Sequence, residues 1–304
     1  MSRRVLVTGA SGFIGRRTLA PLAERGFEVH AAGRGSKAPA GTPGAVAWHS
    51  ADLLDASSRR ALVESVGASD LLHLAWYAEP GAFWAAAENA LWVAATVGLV
   101  DEFAAAGGTR ATLAGTCAEY DWSAPQPLAE NARLAPATFY GVCKDATRRV
   151  AEGLGERAGI DLAWGRIFFL YGPGEHPARL VAAVARALVA GQRAPTSAGG
   201  QRRDFLHADD VADAFVALVA SDVSGAVNVA SGEAVAVGAV VQAIADAAGR
   251  PDLLDIGAIA RRPGDPDAIV ADVRRLRDEV GWSPQIGLAD GLAATVDWWR
   301  AQPR

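Results

Sequence analysis

Several features that mark whole classes of protein are scarce or absent in this sequence. The 304 residues include only two cysteines, Cys117 and Cys143, and neither stands at a metal-ligand spacing or beside a Cys/His cluster. We therefore expect free thiols in a reducing compartment and no metal site. Basic runs are missing and the net charge is −5, which argues against nucleic acid as a partner. No apolar run reaches the length of a membrane span and no internal repeat occurs, so the sequence predicts a soluble, cytoplasmic protein.

The composition favours a well-packed protein. Hydrophobic residues make up 51% of the chain and charged residues 21%, so a full core can form and disorder is not expected. The length is enough for one large domain or for two closely joined domains.

The most informative stretch is RRVLVTGASGFIGRRTLAPLAERGFEVHAAGR near the N-terminus. An apolar run at residues 5–7 is typical of a strand buried on both faces, residues 13–24 favour a helix, and FEVHAA favours a second strand. Gly9 permits a tight turn, Gly12 lets a pyrophosphate approach the backbone, and Gly15 lets the helix pack closely on the sheet. This strand–helix–strand unit predicts dinucleotide binding.

A second signal lies in ATFYGVCKDATRR, where Tyr140 precedes Lys144 by four residues. Residues at this spacing lie on the same face of a helix. The pair is either an ordinary surface contact, or a phenol whose proton is made mobile by a neighbouring cation. In the second case the pKa of the phenol falls, and it can exchange a proton with a carbonyl or an alcohol near neutral pH.

Six ordered motifs, spread from about residue 4 to about residue 299, together resemble the extended branch of the short-chain dehydrogenase/reductase superfamily. The motifs are the T-G-x-x-G-x-x-G turn that begins at Thr8, Thr116 four residues before Tyr120, the Tyr140/Lys144 pair, the stretch 166–173, Arg203-Asp-Phe-Leu-His and Arg262-Pro-Gly-Asp. This branch contains nucleotide-sugar epimerases, dehydratases and ketoreductases. The resemblance implies an α/β fold, with a Rossmann-type doubly wound parallel sheet and a smaller C-terminal α/β substrate domain.

The resemblance also implies the cofactor and its contacts. NAD-using relatives carry Asp where this chain has Gly33, whereas Arg34 follows directly and Lys37 is close. A guanidinium pairs with a 2′-phosphate that a carboxylate would repel, so we expect NADP(H) in preference to NAD(H). An ordinary solvated basic turn is the alternative. The residues expected to contact the cofactor are Gly9, Gly12, Phe13, Ile14, Gly15, Arg34, Asp52, Leu53, Leu74, Ala75, Tyr140 and Lys144.

The same resemblance implies the catalytic group. Thr116 matches the catalytic hydroxyl, Tyr140 the acid–base phenol, and Lys144 the cation that acidifies the phenol and binds the nicotinamide ribose. The motif around Thr116 departs from the family at three places, with Gly115 for Ser, Glu119 for Val and Asp121 for Gly. These departures leave the catalytic hydroxyl in place.

Substrate contacts are expected mainly in the second half of the chain. Arg203 and Arg262 match two arginines that bind the nucleotide diphosphate, whereas Phe169 replaces a diphosphate-binding Asn. His176 is either a site residue or a solvated loop histidine, and Asn89 either supports the cofactor end of the site or caps its helix. Five aromatic residues either stack on the substrate or fill the core. They are Trp76, Tyr77, Phe83 and Trp84 in the loop after the fourth strand, and Trp122. The expected substrate-binding set is Arg203, Arg262, Trp76, Tyr77, Asn89, Phe169 and His176.

We expect residues 1–170, with about 204–220, to form the NAD(P)-binding Rossmann domain, and residues 171–203 and 221–304 to form the nucleotide-sugar domain. The helices that carry Asn89 and Tyr140 are rich in Ala. Since members of the branch dimerise through these helices, the resemblance implies a homodimer.

These expectations favour an NADPH-dependent ketoreductase that reduces the 4-keto group of a nucleotide-linked 6-deoxyhexose, with Tyr140 as proton donor. A nucleotide-sugar 4-epimerase with tightly bound NAD(P) is the alternative enzyme, and a non-catalytic NADP-sensing protein is the alternative from another class. A 4,6-dehydratase is disfavoured, because the acidic pair that follows the catalytic Thr in such enzymes is replaced here by Cys117 and Ala118.

Overall fold

The apolar run after the N-terminal arginines forms the first strand of a seven-stranded parallel sheet in the computed structural model, which describes residues 3–303. The strands are β1 (Arg4–Thr8), β2 (Glu28–Gly33), β3 (Ala47–Ser50), β4 (Asp70–His73), β5 (Arg110–Thr116), β6 (Asp161–Ile167), β7 (Phe169–Tyr171), β8 (Ala194–Thr196), β9 (Arg202–Arg203), β10 (Phe205–His207), β11 (Gly225–Val229), β12 (Val235–Ala236), β13 (Leu254–Ile256) and β14 (Ala268–Ile269). The α-helices are α1 (Gly15–Glu24), α2 (Ala56–Val66), α3 (Glu88–Ala105), α4 (Phe139–Ala158), α5 (Leu180–Val189), α6 (Ala208–Ala220), α7 (Val237–Ala248) and α8 (Leu288–Arg300).

The order of the strands places the site. In the main sheet the order is β11-β6-β5-β4-β1-β2-β3. The chain moves outwards from β1 to β3 and then returns to add β4 on the other side of β1, so the order reverses between β1 and β4. Ligands of open parallel sheets bind at such a reversal, beyond the carboxyl ends of the strands.

Alternation along β1 explains why both faces of the sheet are covered. Val5 and Val7 pack with Leu19 of α1 and Phe215 of α6 on one face, whereas Leu6 joins the core under α2, α3 and α4 on the other. Side chains of a strand point alternately to its two faces, so an uninterrupted apolar run requires helices on both sides.

The C-terminal part forms a smaller core between α5, α7 and α8. Beside this core lie the short sheets β7–β10, β12–β9–β14 and β8–β13. The domain boundary expected at residue 221 does not match the edge of the main sheet, because β11 pairs with β6 as its last strand. The chain therefore returns to the main sheet for both α6 and the strand that follows it.

Two further observations concern residues 3–303. None of their helices combines the length and the apolar character needed to cross a bilayer. Within the same residues no group of three or more His, Cys, Asp or Glu side chains is arranged to hold a metal ion, and Cys117 and Cys143 are buried and free.

Candidate active site

The glycine turn connects β1 to α1 at the carboxyl edge of the sheet. Gly9 has a φ of 72°, and a Cβ there would lie 2.6 Å from the backbone nitrogen of Ala75. At Gly15 a Cβ would overlap the carbonyl group of Gly9, whereas at Gly12 it would meet only that carbonyl oxygen, at 3.1 Å. The turn is therefore packed tightly against 74–75 and open beyond Gly12, which fits a pyrophosphate at the N-terminus of α1.

The first residues of α1 are tied to the second half of the chain. Phe13 lies under two guanidinium groups, 5.6 Å from that of Arg16 and 4.4 Å from that of Arg17, and Ile14 packs against the core. Arg16 also donates a hydrogen bond to the Gly174 carbonyl oxygen, at 3.3 Å. The cofactor turn and the turn at 172–174 are thus in contact.

The ring of Trp48 packs against the end of β2, a contact that the sequence does not predict. A Cβ at Gly33 would lie 2.7 Å from the Cη2 atom of Trp48, a residue of β3. The indole nitrogen of Trp48 donates to the Gly35 carbonyl oxygen, at 2.9 Å, and so holds the loop that carries the exposed Arg34 and Lys37. A carboxylate at position 33 would require this ring to move.

The Asp52-Leu53 pair follows β3 along the same edge. Asp52 is exposed, and its carboxylate accepts a hydrogen bond from the backbone of Leu54, at 3.0 Å. Leu53 is buried. The pair forms a turn at the adenosine end of the expected cleft, with the acidic group facing solvent.

Thr116 and Tyr140 come from different elements that meet at the edge of the sheet. Thr116 ends β5, and its hydroxyl accepts a hydrogen bond from the backbone of Ala118, at 3.2 Å. Tyr140 is the second residue of α4, and Gly141 allows the close approach, since a Cβ there would overlap the Ala118 carbonyl group. Burial raises the pKa of the Tyr140 phenol above its ordinary value, while a hydrogen bond with the Thr116 side chain acts in the opposite direction. The two side chains are thus in contact.

Lys144 lies one turn after Tyr140 and is buried. Its Nζ atom donates to the Ala114 carbonyl oxygen at 2.9 Å and stands 3.8 Å from the ring centroid of Trp76. Burial lowers the pKa of Lys144 to about 7, and the charge of Glu119 opposes this shift. Burial of the phenolate thus outweighs the charge effects of the protein's own groups, and a lowering of the phenol pKa by Lys144 together with an oxidised nicotinamide stays a prediction.

Three aromatic rings enclose the phenol and explain its desolvation. The ring of Tyr140 stands edge-on to Phe83 at 4.9 Å, to Trp84 at 5.9 Å and to Trp76 at 6.4 Å between centroids. The backbone nitrogen of Tyr140 also donates to the Trp84 carbonyl oxygen, at 3.1 Å. The loop after β4 is thus a wall of the site, and Tyr77 lies half-buried within it.

Asn89 supports this wall from behind. Its Oδ1 accepts from the indole nitrogen of Trp76 at 2.8 Å, and its Nδ2 donates to the carbonyl oxygens of Phe83 at 2.7 Å and Ala86 at 2.9 Å. The side chain is fully buried. The expectation that Asn89 contacts substrate is therefore wrong, because its amide is already bonded within the protein; it acts through Trp76.

The residues expected at the substrate end are only partly brought together. Arg203 is buried, pairs with Asp265 at 2.5 Å, and has its guanidinium 5.4 Å from the ring centroid of Phe169. Arg262 stands exposed on the loop that carries Asp265. His176 is exposed, and its Nδ1 accepts from the backbone of Ala178, at 3.1 Å. No closed two-arginine clamp is formed by the described side chains.

One charged residue next to the phenol was missed by sequence reasoning. Arg179 precedes α5, its guanidinium lies 5.2 Å from the ring centroid of Phe83, and its charge lowers the pKa of Tyr140 against the larger effect of burial. Nearby, burial raises the pKa of Glu175 to about 8 although the charge of Arg179 lowers it. No sequence signal marked Arg179, since it lies between two motifs.

Comparison with known proteins decides the family. The profile of the NAD dependent epimerase/dehydratase family matches residues 5–230. The chain belongs to this family. A UDP-glucose 4-epimerase of Rhizobium leguminosarum bv. trifolii is 30% identical over 326 residues, which cover 97% of this chain and 96% of that protein.

Solved structures of the epimerase/dehydratase family have the same architecture. The UDP-glucose 4-epimerase of Thermus thermophilus in complex with NAD is 25% identical, has a TM-score of 0.85, and is matched over 98% of this chain and 99% of that one. MoeE5 in complex with UDP-glucose and NAD is 31% identical, has a TM-score of 0.82, and is matched over 98% of both chains.

Membership confirms the predicted family, the α/β fold with its Rossmann-type sheet, and the assignment as an NAD(P)-dependent enzyme. The finer expectations, which concern the reaction and the choice of cofactor, are not confirmed. The relative and one of the structures just described are 4-epimerases, and both structures contain NAD, so neither the ketoreductase reading nor the preference for NADP receives specific support.

Proposed function

We propose that this member of the epimerase/dehydratase family is a nucleotide-sugar 4-epimerase, which inverts C4 of a hexose linked to a nucleoside diphosphate. The observation that carries the proposal is the contact between Thr116 and Tyr140 at the carboxyl edge of the sheet, with Lys144 one helical turn away. The 4-epimerase relatives named above support this activity over net reduction.

The residues of the glycine turn fit a nicotinamide dinucleotide, because the space beyond Gly12 is open and a pyrophosphate there would lie at the N-terminus of α1, the positive end of the helix dipole. When bound, this cofactor would supply reversible hydride transfer at the sugar carbon. Gly9, Gly12 and Gly15 would hold the pyrophosphate, and Lys144 would bind the nicotinamide ribose.

The chain's own residues supply the proton transfer. Tyr140 takes the proton of the C4 hydroxyl as the carbon is oxidised, and gives it back to the carbonyl oxygen when the carbon is reduced from the other face of the sugar. The Thr116 hydroxyl hydrogen-bonds the same oxygen and fixes its position. Burial keeps the pKa of Tyr140 high, so the phenolate that accepts the proton would form only with further positive charge beside it, which an oxidised nicotinamide ring would supply when bound.

A second candidate is an NADPH-dependent 4-ketoreductase. The observation in its favour is the adenosine end, where Gly33 provides no carboxylate, Trp48 excludes one, and Arg34 and Lys37 are exposed. Guanidinium and ammonium groups at this place suit a 2′-phosphate. Binding of NADP(H) in preference to NAD(H) is therefore part of this proposal.

For the substrate we propose a nucleoside diphosphate sugar whose phosphates meet Arg203 and Arg262. The exposed loop of Arg262 would close onto Arg203, which is fixed by Asp265 at 2.5 Å. Arg179 lies nearer to the phenol and would contact oxygen atoms of the sugar or its proximal phosphate.

The test uses purified protein, a panel of UDP- and dTDP-hexoses, and a parallel panel of nucleotide-linked 4-keto-6-deoxyhexoses with NADPH. Interconversion of C4 epimers without net change in nicotinamide absorbance supports the epimerase. Stoichiometric loss of NADPH absorbance with the ketosugars supports the reductase. Tyr140→Phe should abolish either activity while leaving cofactor binding intact; an unchanged rate in this variant would refute the assignment of the phenol.

A homodimer through α3 and α4 is also proposed. Four apolar side chains on these helices are well exposed, at 57% for Leu91, 43% for Phe139, 47% for Val142 and 46% for Val150. Light scattering should give twice the chain mass for the wild type and the single mass for Val142→Glu. The control Ile259→Glu alters an apolar residue with 50% exposure outside these helices and should remain dimeric.

A further inference from the structure

A fully buried carboxylate lies directly behind the catalytic threonine. The Oε1 atom of Glu119 accepts hydrogen bonds from the backbone nitrogen of Thr116 and from the indole nitrogen of Trp164, both at 2.9 Å. Its Oε2 atom accepts from the Nε atom of Arg166, at 2.7 Å. Glu119 and Arg166 are 0% and 1% exposed, so this is an ion pair without solvent.

Two of the three departures from the family motif around Thr116, Gly115 and Glu119, have one physical cause. A Cβ at position 115 would lie 2.8 Å from the Oε1 atom of Glu119 and would overlap the indole nitrogen of Trp164. A serine at position 115 would therefore displace both groups. Gly115, Glu119 and Trp164 form one unit, in which the glycine makes room for the carboxylate and its donor.

Stability alone does not account for such a unit. Replacing a buried ion pair by apolar residues of similar volume is often neutral or stabilising, since desolvation of the two charges offsets their attraction. An apolar side chain at position 119 would avoid this desolvation. The charged group is thus expected to serve the site.

The charge of Glu119 affects the pKa values of Lys144 and Tyr140, which take part in the proposed chemistry. It raises the pKa of Lys144 against the larger effect of burial, and it adds to the burial that raises the pKa of Tyr140. The charged and titratable groups around the carboxylate are Arg166 on β6, Arg148 at 3.9 Å together with Tyr140 and Lys144 on α4, and Cys117 and Tyr120 on its own segment.

We propose that Glu119 is a positioning residue: it fixes the backbone of Thr116 through its Oε1 atom and places a negative charge behind the site that Thr116 and Lys144 share. The proposal rests on the function proposed above, in which Thr116 and Lys144 act on the sugar and the cofactor. It goes beyond that function by naming the group that sets the geometry and the charge of both.

The first test is Glu119→Gln, which keeps the size of the side chain and removes its charge. Loss of the anion lowers the pKa of Lys144 and of Tyr140, so any limb of the pH–rate profile that reports either group moves to lower pH, by about one unit. We expect kcat to fall about tenfold or more with little change in KM, because positioning acts in the transition state.

The second test does not depend on a known substrate. The chain has two lysines, Lys37 and Lys144, so protein labelled with carbon-13 lysine gives two side-chain signals, which Lys37→Arg assigns. Titration by NMR should place the pKa of Lys144 about one unit lower in Glu119→Gln than in the wild type. Failure of every sugar to react would refute the proposed function and leave this result standing.

A matched control separates positioning from simple stability. Asp70 is also buried and paired with an arginine, Arg3, but it begins β4 at the opposite end of the sheet from the site. Asp70→Asn should lower the melting temperature and leave the pH profile and the Lys144 signal unchanged.

If Glu119→Gln does not fold, Trp164→Phe removes one donor to the carboxylate and keeps the ion pair with Arg166. We expect a several-fold loss in kcat and a smaller shift of the Lys144 signal. The proposal is overturned if Glu119→Gln, or Trp164→Phe in its place, lowers the melting temperature as Asp70→Asn does but leaves both the Lys144 pKa and kcat at their wild-type values.

Discussion

The buried lysine of the site makes stability depend on pH in a defined direction. Burial lowers the pKa of Lys144 from 10.5 to about 7, and at 1.36 kcal/mol per pKa unit this corresponds to about 5 kcal/mol against the charged form in the folded protein. The hydrogen bond to Ala114 and the contact with the Trp76 ring both favour the ammonium, so this figure is an upper value.

The sign follows from proton binding in the two states. Between pH 7 and 10.5 the unfolded chain keeps the Lys144 proton and the folded protein has released it, so the free energy of unfolding rises with pH in this window. Lys144→Met removes the titrating group. The difference in unfolding free energy, wild type minus variant, should therefore increase by about 3 kcal/mol between pH 7 and pH 9.5.

Urea unfolding of both proteins at several pH values measures this difference, because the midpoint and slope give the free energy at each pH. Subtraction of the variant cancels groups that titrate equally in both proteins. A difference that stays flat from pH 7 to pH 9.5 would show that Lys144 keeps an ordinary pKa, and the argument from burial would then fail.

Three further outcomes are expected. Gly115→Ala should lower the unfolding free energy by about 1–3 kcal/mol in urea, because the added methyl group overlaps the Trp164 indole; an unchanged midpoint would contradict this packing. His73, whose pKa burial lowers to about 3, should make the wild type lose stability as the pH falls from 6.5 towards 3, and acid unfolding of His73→Gln should show a shallower loss. Arg34→Ala should weaken NADPH binding about tenfold to a hundredfold in a fluorescence titration and leave NADH unaffected, since a charge-assisted hydrogen bond contributes about 1.5–3 kcal/mol; equal losses would refute the preference for NADP.

Local signals were enough to predict the cofactor turn. Gly9, Gly12 and Gly15 follow an apolar run by fixed offsets, and each glycine has a steric reason that depends only on its neighbours in the turn and on the adjacent strand end. The helix that carries Tyr140 and Lys144 was predictable for the same reason, because side chains four residues apart share a face whatever surrounds them.

The pKa values and ion pairs of the site could not be predicted from the spacing of residues along the sequence. The pKa of Tyr140 is set by desolvation, and the rings responsible come from a loop near residue 83, more than fifty residues earlier in the chain. The pairing of Glu119 with Arg166 spans 47 residues. Such contacts depend on how β5, β6 and α4 pack together, which no local pattern specifies. The role of Asn89 was missed for the same reason, since its partner Trp76 lies on another segment.

The two candidate enzymes place opposite demands on the adenosine end of the cleft. An epimerase returns the hydride within each turnover and can keep its cofactor, whereas a reductase must release the oxidised cofactor every time. The side chains that would meet the 2′-phosphate, Arg34 and Lys37, are exposed, so salt screens their attraction for the cofactor. This surface fits a cofactor that exchanges, as the reductase requires. The absorbance of protein passed through gel filtration without added cofactor therefore decides between them: a retained nicotinamide would assign the epimerase, and a chain that emerges free of nucleotide yet turns over added NADPH would assign the reductase.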